Sequence, residues 1–139
     1  MPAERPLPGG GMTRVTRAGD VVLRSRMAAS PRVEELLVRL EEAGFVYSPR
    51  FLGLDRDGRQ RLRFVPGDAG TYPLTAAVRG ANALRSAARV LRGLHDATRD
   101  MVASMPDGWL LPRVEPAEVI CHGDFAPYNC VFDGERVLR

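Results

Sequence analysis

The chain has 139 residues, 45% of them hydrophobic and 27% charged; this is a length for one core and a composition that excludes wholesale disorder. Its longest uncharged stretch, residues 69–78, falls far short of the roughly 20 apolar residues that cross a bilayer, and the opening MPAERPLPGG has no apolar segment after a basic one, so the expectation is no membrane partner, no signal peptide and a cytoplasmic location. All 20 basic residues are arginine, the net charge is +3, and the arginines are scattered instead of clustered, which argues against a nucleic-acid partner.

In chain order, residues 6–12 read PLPGGGM, followed by an expected strand over 13–17, a tight turn at Gly19-Asp20 and a second strand through Val21-Val22-Leu23. β-Branched residues flank a turn pair that tolerates unusual backbone angles, which is the pattern of a hairpin. Ser30 is placed to cap a helix with Pro31 at its first position, and Val33, Leu36, Leu37 and Leu40 repeat at i, i+3, i+4, i+7 up to Gly44. A second hairpin follows, with strands over 50–54 and 60–65 joined by Asp55-Arg56-Asp57-Gly58. Within it Arg59, Arg61 and Arg63 alternate with Gln60, Leu62 and Phe64, as the outer face of a half-buried strand does.

Pro66-Gly67-Asp68-Ala69-Gly70 breaks the pattern and reads as a linker between a unit over 1–66 and a second over 67–139. A long helix over about residues 74–99 is expected beyond it, with Leu84, Ala88, Leu91 and His95 as its apolar stripe and Arg85, Arg89, Arg92 and Arg99 on its polar one. Trp109 is expected to pack against the final hairpin, and Met27, Met101 and Met105 to fill gaps or lie at the surface. The last third reads as a strand at Val119-Ile120-Cys121, a polar loop over 122–129, and a hairpin of Cys130-Val131-Phe132 and Val137-Leu138 across Asp133-Gly134. Cys121 and Cys130 are expected to be free thiols acting as small buried hydrophobes. His95, Cys121, His122, Asp124 and Cys130 lack the spacings of a zinc site, and no serine stands in a Gly-x-Ser-x-Gly setting for hydrolase chemistry.

The polar loop concentrates the chemistry. His122-Gly123-Asp124-Phe125-Ala126-Pro127-Tyr128-Asn129 puts a histidine, a carboxylate and a carboxamide between apolar strands. Phosphoryl transfer needs a carboxylate to orient an attacking hydroxyl and take its proton, and an oxygen ligand that helps to hold magnesium; an Asp followed five residues later by an Asn offers that pair. Gly123 allows a tight turn and Pro127 stiffens the loop.

The segment His-Gly-Asp-x4-Asn resembles the catalytic loop of the aminoglycoside phosphotransferase family, which has the protein-kinase-like fold. The order of elements is similar too: glycine-rich hairpin, third strand, acidic helix, two strands, Pro-Gly hinge, long helix, loop. The resemblance implies an α+β fold with a small N-terminal lobe, an antiparallel sheet plus one helix, and an incomplete, mainly helical C-terminal lobe. It implies an ATP- or GTP-dependent kinase that uses magnesium and acts on a hydroxyl of a small molecule. Asp124 would be the catalytic base, Asn129 the magnesium ligand and His122 a support of the loop. Gly9, Gly10 and Gly11 look like the turn over the nucleotide phosphates, Arg24 or Arg26 would supply the strand cation, Glu34 or Glu35 its helix partner, and Phe64 and Val65 fall where the hinge binds the base. In the family a second metal-binding aspartate follows the next hairpin; the sequence reaches Arg139 first, and Asp133 lies in a turn instead. This leads to the expectation of little or no transfer by the 139-residue chain, of self-association through uncovered apolar faces, and, as the alternative function, of an inactive kinase-like module that binds nucleotide or a partner.

Overall fold

A computed structural model describes residues 2–8 and 11–139. Two antiparallel sheets organise it. The first has five strands in the order β1-β2-β3-β5-β4, with β1 Arg5–Pro6, β2 Val15–Ala18, β3 Val21–Arg24, β4 Phe51–Leu54 and β5 Gln60–Arg63. The two expected hairpins are present, with edges shifted by one to two residues, and β1 is an added edge strand beyond the glycine run. Gln60 and Leu62 point inward while Arg63 is exposed, as the alternation requires.

Helix α1, Ser30–Glu42, lies between β3 and β4 and buries Glu34, Leu37 and Leu40. Its cap position is Ala29, not Ser30; the Ser30 hydroxyl instead accepts the Met27 N–H at 2.9 Å, closing the turn before the helix. Arg32 on this helix donates to the Asp107 carboxylate at 3.1 Å, tying α1 to the second half of the chain.

The expected linker is itself structured. It contains β6, Asp68–Ala69, which pairs with β7, Val131–Asp133, and β7 pairs in turn with β8, Arg136–Val137. The expected single helix is two: α2, Ala76–Arg79, and α3, Ala81–Thr98, are separated by Gly80 in an extended conformation at ψ 162°. A 3-10 helix, Arg99–Ser104, continues from α3. The face of α3 also differs from expectation. Ala83 and Val90 are buried with Ala87 beside them, Leu94 and Ala97 pack on the separate cluster of Leu40, Met101 and Met105, and Leu84 is 72% exposed. The β7–β8 hairpin packs on the small-residue side of the helix, and this overrides the leucine stripe.

Val119-Ile120-Cys121 forms no strand, because no segment among the described residues pairs with it; the Ile120 N–H donates to the fully buried Thr98 hydroxyl at 3.0 Å. One core cluster joins Ala83, Val90, Cys130, Phe132 and Val137, and another joins Leu40, Met101 and Met105; Phe45 packs against both. Met101 and Met105 are therefore core residues. Trp109 packs on the second cluster, not on the final hairpin, and donates from its indole to Met105 O at 3.0 Å. No helix of the described residues is long and apolar enough to cross a membrane.

Candidate active site

The polar loop leads into β7. Gly123 adopts φ +83°, which glycine tolerates, and the chain turns sharply after His122. A 3-10 turn, Pro127–Asn129, follows, with Asn129 N–H donating to Ala126 O at 2.9 Å and Cys130 N–H to Pro127 O at 3.0 Å. This winding brings the two key side chains together. Asn129 Nδ2 donates to the Asp124 backbone oxygen at 2.8 Å and to carboxylate Oδ2 at 3.1 Å. The other carboxylate oxygen, Oδ1, accepts the Tyr128 hydroxyl at 2.7 Å. Asp124 is thus oriented by two donors of its own loop and still faces solvent.

His122 serves the same loop from its start. Its Nδ1 accepts the Asp124 N–H at 3.3 Å, and its ring stands edge-on to Phe125 at 5.5 Å between centroids. Partial burial pushes the imidazole below its ordinary value, opposed by the Asp124 carboxylate. The hydrogen bond to Asp124 pushes the Tyr128 phenol up, since a phenolate there would face a carboxylate.

The loop rests on β6. A Cβ at Gly70 would stand 2.2 Å from Pro127 O and 2.9 Å from the Phe132 ring, so the close approach of backbone to backbone requires a residue without a side chain. Asn129 makes both its bonds to Asp124 through the amide nitrogen, which leaves the amide oxygen to act as a ligand. An amide oxygen beside a carboxylate suits a hard cation such as magnesium, although it supplies only part of its shell. Among the described residues no group of three or more His, Cys, Asp and Glu side chains gathers to hold a metal, in this loop or outside it. Asp133 is engaged with Arg136 at 2.9 Å across the β7–β8 turn. Cys130 is buried, which raises its thiol, whereas Cys121 is exposed, contrary to expectation.

A second polar cluster lies on the first sheet. Arg26 pairs with Glu34 through two bonds, Nε to Oε1 at 2.9 Å and Nη2 to Oε2 at 3.1 Å. Arg24 reaches the same glutamate only through Gln60: Arg24 Nε donates to Gln60 Oε1 at 2.8 Å, and Gln60 Nε2 donates to Glu34 Oε1 at 2.9 Å. Burial lowers the Arg24 pKa, and the Glu34 charge opposes that. Glu35 pairs instead with Arg32 at 2.6 Å and Arg39 at 3.0 Å. Phe64, just past β5, donates its N–H to Asp20 O at 2.8 Å and carries the Arg17 guanidinium 3.3 Å above its ring; Val65 beside it is half-buried. Gly9 and Gly10 lie outside the described residues, and Gly11 is exposed with open space around it. Two residues of these clusters escaped sequence reasoning. Tyr128 was hidden inside the motif that carries Asp124 and Asn129. Gln60 had a signal, an amide at an inward-facing strand position.

A surface groove of about 250 Å³ away from the polar loop is lined by Met27, Ala28, Ala29, Gly108, Trp109 and Leu110. Asp124 is itself exposed to solvent. No family model matches the chain. A crystal structure of a choline/ethanolamine kinase family protein from Mesorhizobium loti superposes with a TM-score of 0.55 at 24% identity, covering 97% of this chain and 56% of that one. The fold is kinase-like. A trifolitoxin immunity protein of Rhizobium leguminosarum bv. trifolii is 37% identical over 134 residues, which cover 90% of this chain and 49% of that protein. The chain thus spans about half the length of the proteins it matches.

Proposed function

We propose that the chain is the nucleotide-binding and base-bearing part of a small-molecule kinase related to the aminoglycoside phosphotransferases, which moves the γ-phosphoryl group of ATP or GTP to a hydroxyl. The observation that carries this reading is the convergence of Asp124 and Asn129 at 3.1 Å on an exposed loop of a kinase-like fold. Asp124 takes the proton of the acceptor hydroxyl, and its orientation is held by Asn129 and Tyr128. His122 fixes the start of the loop. Arg24, the last residue of β3, and Arg26, two residues past it, supply the cations, and Glu34 on α1, which pairs with Arg26, is the helix partner. Magnesium, when bound, neutralises phosphate charge, and Asn129 is the residue of this loop that would hold it. The name of the immunity protein points to a toxic compound as one class of acceptor.

Titration of the chain with ATP and GTP, with and without magnesium, tests the reading. It predicts binding that magnesium tightens, and loss of that gain in Asn129→Ala. Where transfer to an aminoglycoside or another alcohol is measurable, Asp124→Asn abolishes it while leaving nucleotide binding. Absence of binding to both nucleotides overturns the proposal, and binding without transfer under any condition selects the inactive module.

A further inference from the structure

The two oxygens of the Asp124 carboxylate have partners of different kinds. Oδ2 accepts the Asn129 amide, whereas Oδ1 accepts the Tyr128 hydroxyl at 2.7 Å. Among the described residues no other side-chain hydroxyl bonds to this carboxylate. A base that takes the proton of an alcohol must stand at such a distance from the alcohol oxygen. The place of an acceptor on Asp124 is thus filled by a hydroxyl of the chain itself. Tyr128 is 49% exposed and Asp124 is exposed beside it, so a nucleotide that reaches the carboxylate from solvent also meets the phenol oxygen. The backbone around Tyr128 is fixed by the 3-10 turn, with the Asn129 and Cys130 N–H groups donating to Ala126 O and Pro127 O. An acceptor tethered in this way needs no pocket of its own, because an encounter between two molecules becomes a step within one.

We infer that Tyr128 is a self-modification site, at which the chain transfers the γ-phosphoryl group of a bound nucleoside triphosphate to its own phenol. The Tyr128 oxygen forms a bond to the γ-phosphorus, and the bond from that phosphorus to the β,γ-bridging oxygen breaks. The nucleoside diphosphate leaves with the electron pair, and the phenol proton passes to Asp124 Oδ1. The inference rests on the nucleotide reading above and adds to it an acceptor inside the chain. Each molecule reacts once, since the product has no hydroxyl left at this position, and the new phosphate group then stands beside the Asp124 carboxylate and repels it.

Cleavage at arginine releases the fragment 114–136, in which Tyr128 is the only side chain that bears a hydroxyl. The whole chain is incubated with ATP or GTP and magnesium, and mass spectrometry of this fragment is expected to find one added phosphoryl group, located on Tyr128 by fragment sequencing. The rate constant does not change with chain concentration, because base and acceptor share one loop. Asp124→Asn slows the modification about a hundredfold, the lower end of what a general base contributes, and Tyr128→Phe leaves the fragment unmodified. An unmodified fragment from a chain that binds ATP or GTP with magnesium overturns the inference and leaves the nucleotide reading standing. Phosphoryl groups on His122 or Asp124 instead, a rate constant that rises with chain concentration, or an undiminished rate in a folded Asp124→Asn also overturn it. If circular dichroism shows that Asp124→Asn is unfolded, the unaltered chain decides through the location of the group and the concentration dependence. Failure of the unaltered chain to bind either nucleotide overturns the nucleotide reading itself, and with it this one.

Discussion

The two sheets hold their polar groups by different means. In the five-stranded sheet, Arg24, Arg26 and Glu34 are fixed by bonds between β3, β5 and α1, including one from Gln60 to Glu34 across 26 residues of sequence. In the loop above the three-stranded sheet, Asp124, Tyr128 and Asn129 bond to one another within five residues. The first cluster therefore exists only when that half of the molecule is assembled. The second is wound locally and depends on its seat, a hairpin of two short strands held by Phe132, Val137 and Gly70. The chemistry-bearing loop is thus separable from the fold in a way that the cation cluster is not.

The sharpest way to break this comparison is to remove the seat. Phe132→Ala is expected to cost about 4 kcal/mol, since it empties a buried aromatic site. Hydrogen exchange should then show the amides of residues 124–131 opening while those of β2, β3 and β5 keep their protection; equal loss in both sheets would mean that they unfold as one. Next in size, Gly70→Ala drives a Cβ into Pro127 O and should cost about 2–3 kcal/mol in urea unfolding. Gly58→Ala is its control: φ is +76° but the space is open, so only left-handed strain of about 1 kcal/mol is expected. Reversal of that order would remove the close approach from the argument.

A smaller effect reports on the loop alone. In Asp124→Asn the Tyr128 phenol loses its anionic partner, and its ultraviolet titration, taken as the difference from Tyr128→Phe, should fall back toward 10.0. A titration that does not move would mean that the 2.7 Å bond is absent in solution.

The smallest effect lies at the edge of the first sheet. There Arg59 and Thr16 hold the Glu4 carboxyl at about 2 against an ordinary 4.5. The group is depressed in the folded state, so its contribution is full above about 4.5 and disappears as pH falls through about 2. Because the pair is exposed, the loss is slight. Melting of Glu4→Gln should differ from that of the unaltered chain at neutral pH and converge with it in acid; parallel curves would count against the clasp.

What could be read from the sequence follows the same division between local and assembled structure. The turns at Gly19 and Gly58, helix α1 and the Asp124–Asn129 spacing are written in neighbouring residues, and the structure contains each of them. The pairing of Asp68–Ala69 with β7 joins segments about sixty residues apart, and nothing in Pro66-Gly67-Asp68-Ala69-Gly70 announces it. On α3 the larger side chains Leu84 and Leu91 suggested one face, but the β7–β8 hairpin chose the face with Ala83, Ala87 and Val90, whose small size permits close packing. Val119-Ile120-Cys121 has strand-forming residues without a partner strand among the described residues. The choice between Arg24 and Arg26 for Glu34 could not be made without Gln60, which lies on a different strand.

The bare backbone at position 70 has a mechanical consequence. The segment that leaves the first sheet passes directly beneath Pro127, with the Gly70 N–H bound to Cys130 O at 3.3 Å. A shift of this connector therefore moves the floor on which the acid stands, with no intervening side chain to absorb the displacement.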